Sequence, residues 1–163
     1  MFHACRIPVP LLCAWLAAAP AHARVGGAEV REGPRGGPCF TITLREDRLG
    51  TPDFHGIVVW EGAHPVWKMT MPKDRTFPLT YGMCVPYGGR VAALPHTASG
   101  ALAPGRIYNL RIEARPGGNG RTASTYEARF CLARQRDGSA VVHQIGSGER
   151  EGLRMAGCVP SGD

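Results

Sequence analysis

Leu102-Ala103-Pro104-Gly105-Arg106-Ile107-Tyr108-Asn109-Leu110-Arg111-Ile112-Glu113-Ala114 decides how the rest of the chain is read. Pro104-Gly105 is turn chemistry, because proline presets its own φ and glycine takes conformations closed to other residues. From Ile107 the residues alternate with period two, the signature of a half-buried β-strand. The same signature recurs outward in both directions. It is present in Phe40–Leu44, Gly56–Trp60, Val66–Met71, Leu79–Val85, Arg90–Leu94, Thr125–Ala133 and Ala140–Ile145, with a short last element at Leu153–Val159. Glycine and proline break the chain between these runs, and Gly117-Gly118-Asn119-Gly120 reads as a hairpin loop. No window of helical length carries a 3.6-residue period beyond the N-terminal stretch. Short strands at intervals of about ten residues imply an all-β, antiparallel sandwich or barrel.

The N-terminus is of another kind. Arg6 is followed by an apolar stretch, Ile7–Ala19, then by small residues ending in Ala21-His22-Ala23, and the first acidic residue is Glu29. This is the order of a secretory signal peptide, residues 1–23, with cleavage after Ala23 or Ala21. Its apolar core is shorter than the roughly 20 residues of a spanning helix, and Pro8, Pro10 and Pro20 interrupt it. No second apolar run suggests a membrane span in the mature chain. Export places the protein in the periplasm or outside the cell. Residues 24–38, rich in glycine and charge, read as a flexible tether. The domain proper then covers residues 39–133, with 134–163 as a C-terminal extension of one or two strands packed on it.

Losing the signal removes Cys5 and Cys13 and leaves Cys39, Cys84, Cys131 and Cys158. Four cysteines in an oxidising compartment read as two disulfides, and their wide spacing fits no zinc motif. The formal charge of +6 falls by one when Arg6 is removed, and 17 of the bases are Arg against two Lys. Such a surface attracts anionic partners. After export these are envelope proteins or anionic glycans rather than nucleic acid, for which no basic motif interleaved with aromatics is present.

The stretch Leu102–Ala114 resembles the E–F corner of a fibronectin type III domain, with its Leu, Pro-Gly and Tyr at this spacing. That resemblance implies an immunoglobulin/fibronectin type III-like sandwich over residues 39–133, in which Leu102 and Tyr108 are structural and the Tyr108 hydroxyl ties back to upstream backbone. Ile57-Val58-Val59-Trp60 resembles the family's B strand, with Trp60 in the core. Val66–Met71 then becomes strand C and Thr125–Ala133 strand G. The chain departs from the family in its disulfides and in the residues that follow strand G.

Alternation places Cys39, Cys84 and Cys131 on the polar, outer side of their strands, away from Phe40, Met83 and Phe130. Bridges there staple edges or tie the C-terminal extension across an outer face. Of three connectivities, Cys39–Cys158 with Cys84–Cys131 is preferred. It conflicts with an unmodified type III sheet, where strands C′ and G lie roughly 14 Å apart, beyond the ~7 Å Cα reach of a disulfide.

The chemistry-bearing residues are sparse. His55, His64, His96 and His143 lie at no metal-pair spacing, and no serine sits in a nucleophile elbow. No cofactor or metal is implied, and no catalytic residue is assigned. The outward face of the two late strands is expected to carry Arg111, Glu113 and Arg115 beside Glu127 and Arg129, with Arg121, Arg134 and Arg136 near the hairpin ends. Arg111, Arg115, Arg121, Arg129 and Arg134 are therefore the candidate binding residues, and nothing sets the oligomeric state. The expected function is that of an exported, non-enzymatic binding or accessory protein of the envelope, in one form inhibitor- or immunity-like. A small hydrolase or metal-dependent enzyme on Asp53, His55, His64 and His96, and a structural or assembly subunit, are the alternatives.

Overall fold

Most of the alternating runs become strands with their apolar face inward. The computed structural model describes residues 24–34, 36–89, 95–118, 120–146 and 157–158. Along the chain these form β1 (Val25–Glu32), β2 (Pro38–Ile42), α1 (Leu44–Asp47), β3 (Asp53–Glu61), β4 (His64–Thr70), β5 (Phe77–Pro78), β6 (Val85–Pro86), β7 (Ile107–Arg115), β8 (Thr125–Arg134) and β9 (Ala140–Ile145). The expected signal peptide, the run 90–94 and all of 153–159 except 157–158 lie outside the described residues.

The strands pair in the order β4-β3-β7-β8-β1-β2-β6, with β5 added to β3 and β9 to β8. This mixed sheet curls into a half-barrel. Its two ends meet across the core, where Phe40 of β2 packs on Trp67 of β4 at 6.1 Å and on Phe130 of β8 at 5.5 Å between ring centroids. Ile57, Val59, Leu110, Ile112 and Tyr126 complete the buried layer. Every junction is antiparallel except β1–β8, which is parallel over Val25–Gly27. The wholly antiparallel expectation is corrected at that point.

The tether is corrected more deeply. Residues 25–32 are a strand in the middle of the sheet, paired with β2 through Ala28–Glu32 as well as with β8. Gly26, Ala28 and Val30 are its buried face. The alternation is there in the sequence, but small side chains hide it. Arg24 anchors the strand's start, its guanidinium meeting both oxygens of the buried Glu46 carboxylate at 2.8–2.9 Å.

A fork forms where β8 changes partners. The first part of its edge carries β1 and the rest carries β9. At the junction the Gln144 amide acts as a substitute peptide group. Its Oε1 accepts from the Val30 N–H at 2.8 Å and its Nε2 donates to the Ala28 carbonyl at 3.2 Å. Backbone groups that leave one ladder are thereby satisfied rather than buried bare.

Three further expectations change. The disulfides are Cys39–Cys84 and Cys131–Cys158, with Cα atoms 5.5 and 6.0 Å apart, not the preferred pairing. Cys39–Cys84 links β2 to the residue before its sheet neighbour β6, and Cys131–Cys158 ties the C-terminal segment to β8. Cys39, Cys131 and Cys158 are therefore buried rather than exposed, the last two in a small second core with Ile107, Ala133 and Ile145. The core indole is Trp67, not Trp60, which lies half-buried on the outward side of β3. Finally, residues 79–85 turn rather than extend, with the Met83 N–H donating to the Thr80 carbonyl. The expected strand Phe40–Leu44 is also cut short by α1, one turn capped by the Thr43 hydroxyl.

Candidate functional site

The corner that opened the sequence fixes the geometry of the outward face. Tyr108 is buried, and its hydroxyl accepts the Ala103 N–H at 2.8 Å, five residues upstream. Gly105, at φ 85°, donates its N–H to the Leu132 carbonyl at 2.8 Å. Burial pushes the Tyr108 hydroxyl above its ordinary pKa, which keeps it protonated. With Tyr108 turned inward, alternation turns Asn109 and Arg111 outward.

Two register rows then cross the sheet. Trp60 of β3 lies beside Asn109 of β7, then Arg129 of β8, then Ile145 of β9. The adjacent row runs Val58, Arg111, Glu127 and Gly27. Between them they form a shallow groove of about 760 Å³, running across the strands. Gly62, Ala63 and Gly146 keep parts of it low. Next to it the outward-facing Cys131, covered by Cys158, forms a raised end with Ile107 and Ile145.

The charges in the groove are unequal. Arg111 is held by Glu127, its Nε and Nη2 at 2.9 and 2.8 Å from Oε1, and its guanidinium lies 5.6 Å from the centre of the Trp60 ring. Exposed at both ends, this pair contributes little stability, of the order of 0–1 kcal/mol. It does hold Arg111 and Trp60 in one arrangement. Arg129 is exposed and has no acidic partner within ion-pair distance among the described residues. Among the described residues the groove therefore holds one uncompensated positive charge.

The five candidate arginines do not form a single patch. Arg111 and Arg129 meet in the groove. Arg115 ends β7 with its Nη2 donating to the Lys73 carbonyl. Arg121 is in the β7–β8 loop, its carbonyl accepting from Arg24 at 2.9 Å. Arg134 closes β8 at the other end, its Nε 3.4 Å from the Pro104 carbonyl. The length of β8, roughly 30 Å at about 3.3 Å per residue, separates the last two. Sequence alternation found Arg111 and Arg129 but missed Trp60, since both faces of Ile57-Val58-Val59-Trp60 are apolar and nothing local says which is inward.

The histidines lie apart. His55 is near the start of β3, its carbonyl accepting from Met71, whereas His64 sits at the β3–β4 turn opposite Glu61. His96 bridges to Met69 on the outer edge of β4, and His143 lies opposite Cys131 on β9. Asp53 pairs with Arg115 and Pro78, far from His64. Among the described residues no three His, Cys, Asp or Glu side chains are grouped to hold a metal ion, and no helix is long and apolar enough to cross a membrane. Comparison of the chain with protein-family models, curated proteins and solved structures found no match.

Proposed function

We propose that this protein is an exported, non-enzymatic binding module of the cell envelope that holds an anionic ligand in the groove of Trp60, Arg111 and Arg129. The observation that carries this is the exposed guanidinium of Arg129, without an acidic partner among the described residues, beside a fixed Trp60–Arg111–Glu127 set. An uncompensated cation attracts an anion, and the Trp60 ring two strands away on the same face gives the rest of the ligand a surface to lie on. Two disulfides and the sequence of residues 1–23 support export.

We read the fold as an immunoglobulin/fibronectin type III-like sandwich with an added strand. The Tyr108–Ala103 bond supports this, as does the order β4-β3-β7-β8, which is that of strands C′-C-F-G, with β1, β2 and β6 as A, B and E. Trp60 then belongs to strand C, one strand later than the sequence resemblance put it.

The test compares Arg129→Glu with Arg136→Glu in the processed protein, by retention on immobilised anionic polysaccharides over a salt series. Both changes alter net charge equally, but Arg136 lies in the exposed turn after β8. Retention should fall about tenfold or more for Arg129→Glu alone, the loss of one charge-assisted contact. Equal loss in the two variants removes the groove from consideration.

A further inference from the structure

We infer that the ligand of this groove is a carboxylated oligosaccharide, lying across the strands with one carboxylate on Arg129. The inference rests on the binding reading above and narrows it to one chemistry.

The direction of the groove weighs against a polypeptide. An extended peptide gains most from adding itself to a free sheet edge, where backbone N–H and C=O groups await partners. Here the groove crosses β3, β7 and β8, whose backbone groups are already paired with one another. Only side chains are on offer, and they suit a hydroxylated ring. The Asn109 amide both donates and accepts, and the Glu127 carboxylate accepts from hydroxyls. The Trp60 ring, with Ala63, provides carbon surface for the C–H face of a sugar.

The charge selects the acid. Glu127 compensates Arg111, so among the described residues Arg129 is the cation of the groove left to neutralise the ligand. Its planar fork matches a planar carboxylate in two parallel hydrogen bonds. A doubly charged phosphate would need more donors than the single unpaired fork supplies. The distance from Trp60 to Ile145, three inter-strand steps or roughly 14 Å, gives room for a short oligosaccharide rather than one sugar.

The probes are oligogalacturonate, its methyl ester, inorganic phosphate and an acidic peptide, measured by calorimetry on the processed protein, on Arg129→Gln and Trp60→Ala, and on Arg136→Gln as control. Thermal unfolding of each variant confirms that it is folded. Oligogalacturonate should bind, with about a tenfold or greater loss in Arg129→Gln, a loss in Trp60→Ala and none in Arg136→Gln. The ester and phosphate should bind at least tenfold more weakly than the acid. Equal binding of acid and ester overturns the carboxylate assignment. Absence of oligosaccharide binding, with an acidic peptide bound instead and released by Arg129→Gln, overturns the glycan but leaves the groove as the binding site. Binding that ignores both Arg129→Gln and Trp60→Ala overturns the inference and the function it rests on together.

Discussion

At Gly26 the ring of Tyr126 fills the space a side chain would take: a Cβ there would lie 2.5 Å from Tyr126 Cδ1 and 2.9 Å from a Glu46 oxygen. Tyr126 is fully buried between β1 and the core, so its ring cannot swing aside at small cost. Gly26→Ala should therefore destabilise by about 1–3 kcal/mol, the usual range for overpacking. A urea midpoint shifted down with unchanged slope would confirm it; an unchanged midpoint would show that the ring and strand can separate freely. Gly26 was legible only as a flexible residue, because the reason for it is another residue a hundred positions away. Tyr108 is the opposite case. Its turn and its inward direction follow from a local motif, and the resemblance carried by that motif implied a hydroxyl tied to upstream backbone, whose partner is Ala103.

The two disulfides act at the level of elements, one tying β2 to the start of β6 and the other tying the C-terminal segment to β8. Cys39–Cys84 closes a separation of 45 residues and Cys131–Cys158 one of 27. On a chain-entropy estimate these contribute about 4 and about 3.5 kcal/mol. Replacing Cys131 and Cys158 together by Ala should cost about that smaller amount in chemical denaturation and expose Ile107 and Ile145 to an apolar dye. A variant as stable as the parent would mean that the C-terminal segment holds its place without the bond. The preferred pairing went wrong because strand pleat tells which side of a strand a cysteine faces, not which distant segment covers that side. Strand β1 was missed for a related reason. Its inward residues are Gly, Ala and Val, and such small groups mark a strand only when the neighbours that crowd them are known.

Across the whole molecule, three tyrosines, Tyr108 and Tyr126 buried and Tyr87 half-buried, link stability to high pH. Burial is the main cause in each case, pushing Tyr87 up to about 12 from 10.0 and raising Tyr108 and Tyr126 in the same direction. A raised folded pKa means that the native state keeps protons that the unfolded chain has released. Stability is therefore full below about pH 10 and falls as pH rises toward 12. Tyr87 also donates to the Gly100 carbonyl at 2.7 Å, a bond its phenolate cannot make. Thermal unfolding across this range should show the decline, and Tyr87→Phe should flatten part of it; equal slopes would exclude Tyr87 as a contributor. By itself the sequence determined the all-β class, most of the strands, the corner at Tyr108 and the outward direction of Arg111 and Arg129, since each depends on local alternation or on a turn. The tertiary structure alone decided the parallel β1–β8 junction, the disulfide partners, the inward Trp67 and outward Trp60, and the separation of the arginines. Those depend on which surfaces meet when the sheet curls, and contacts between residues far apart in sequence leave no period in the chain to be read.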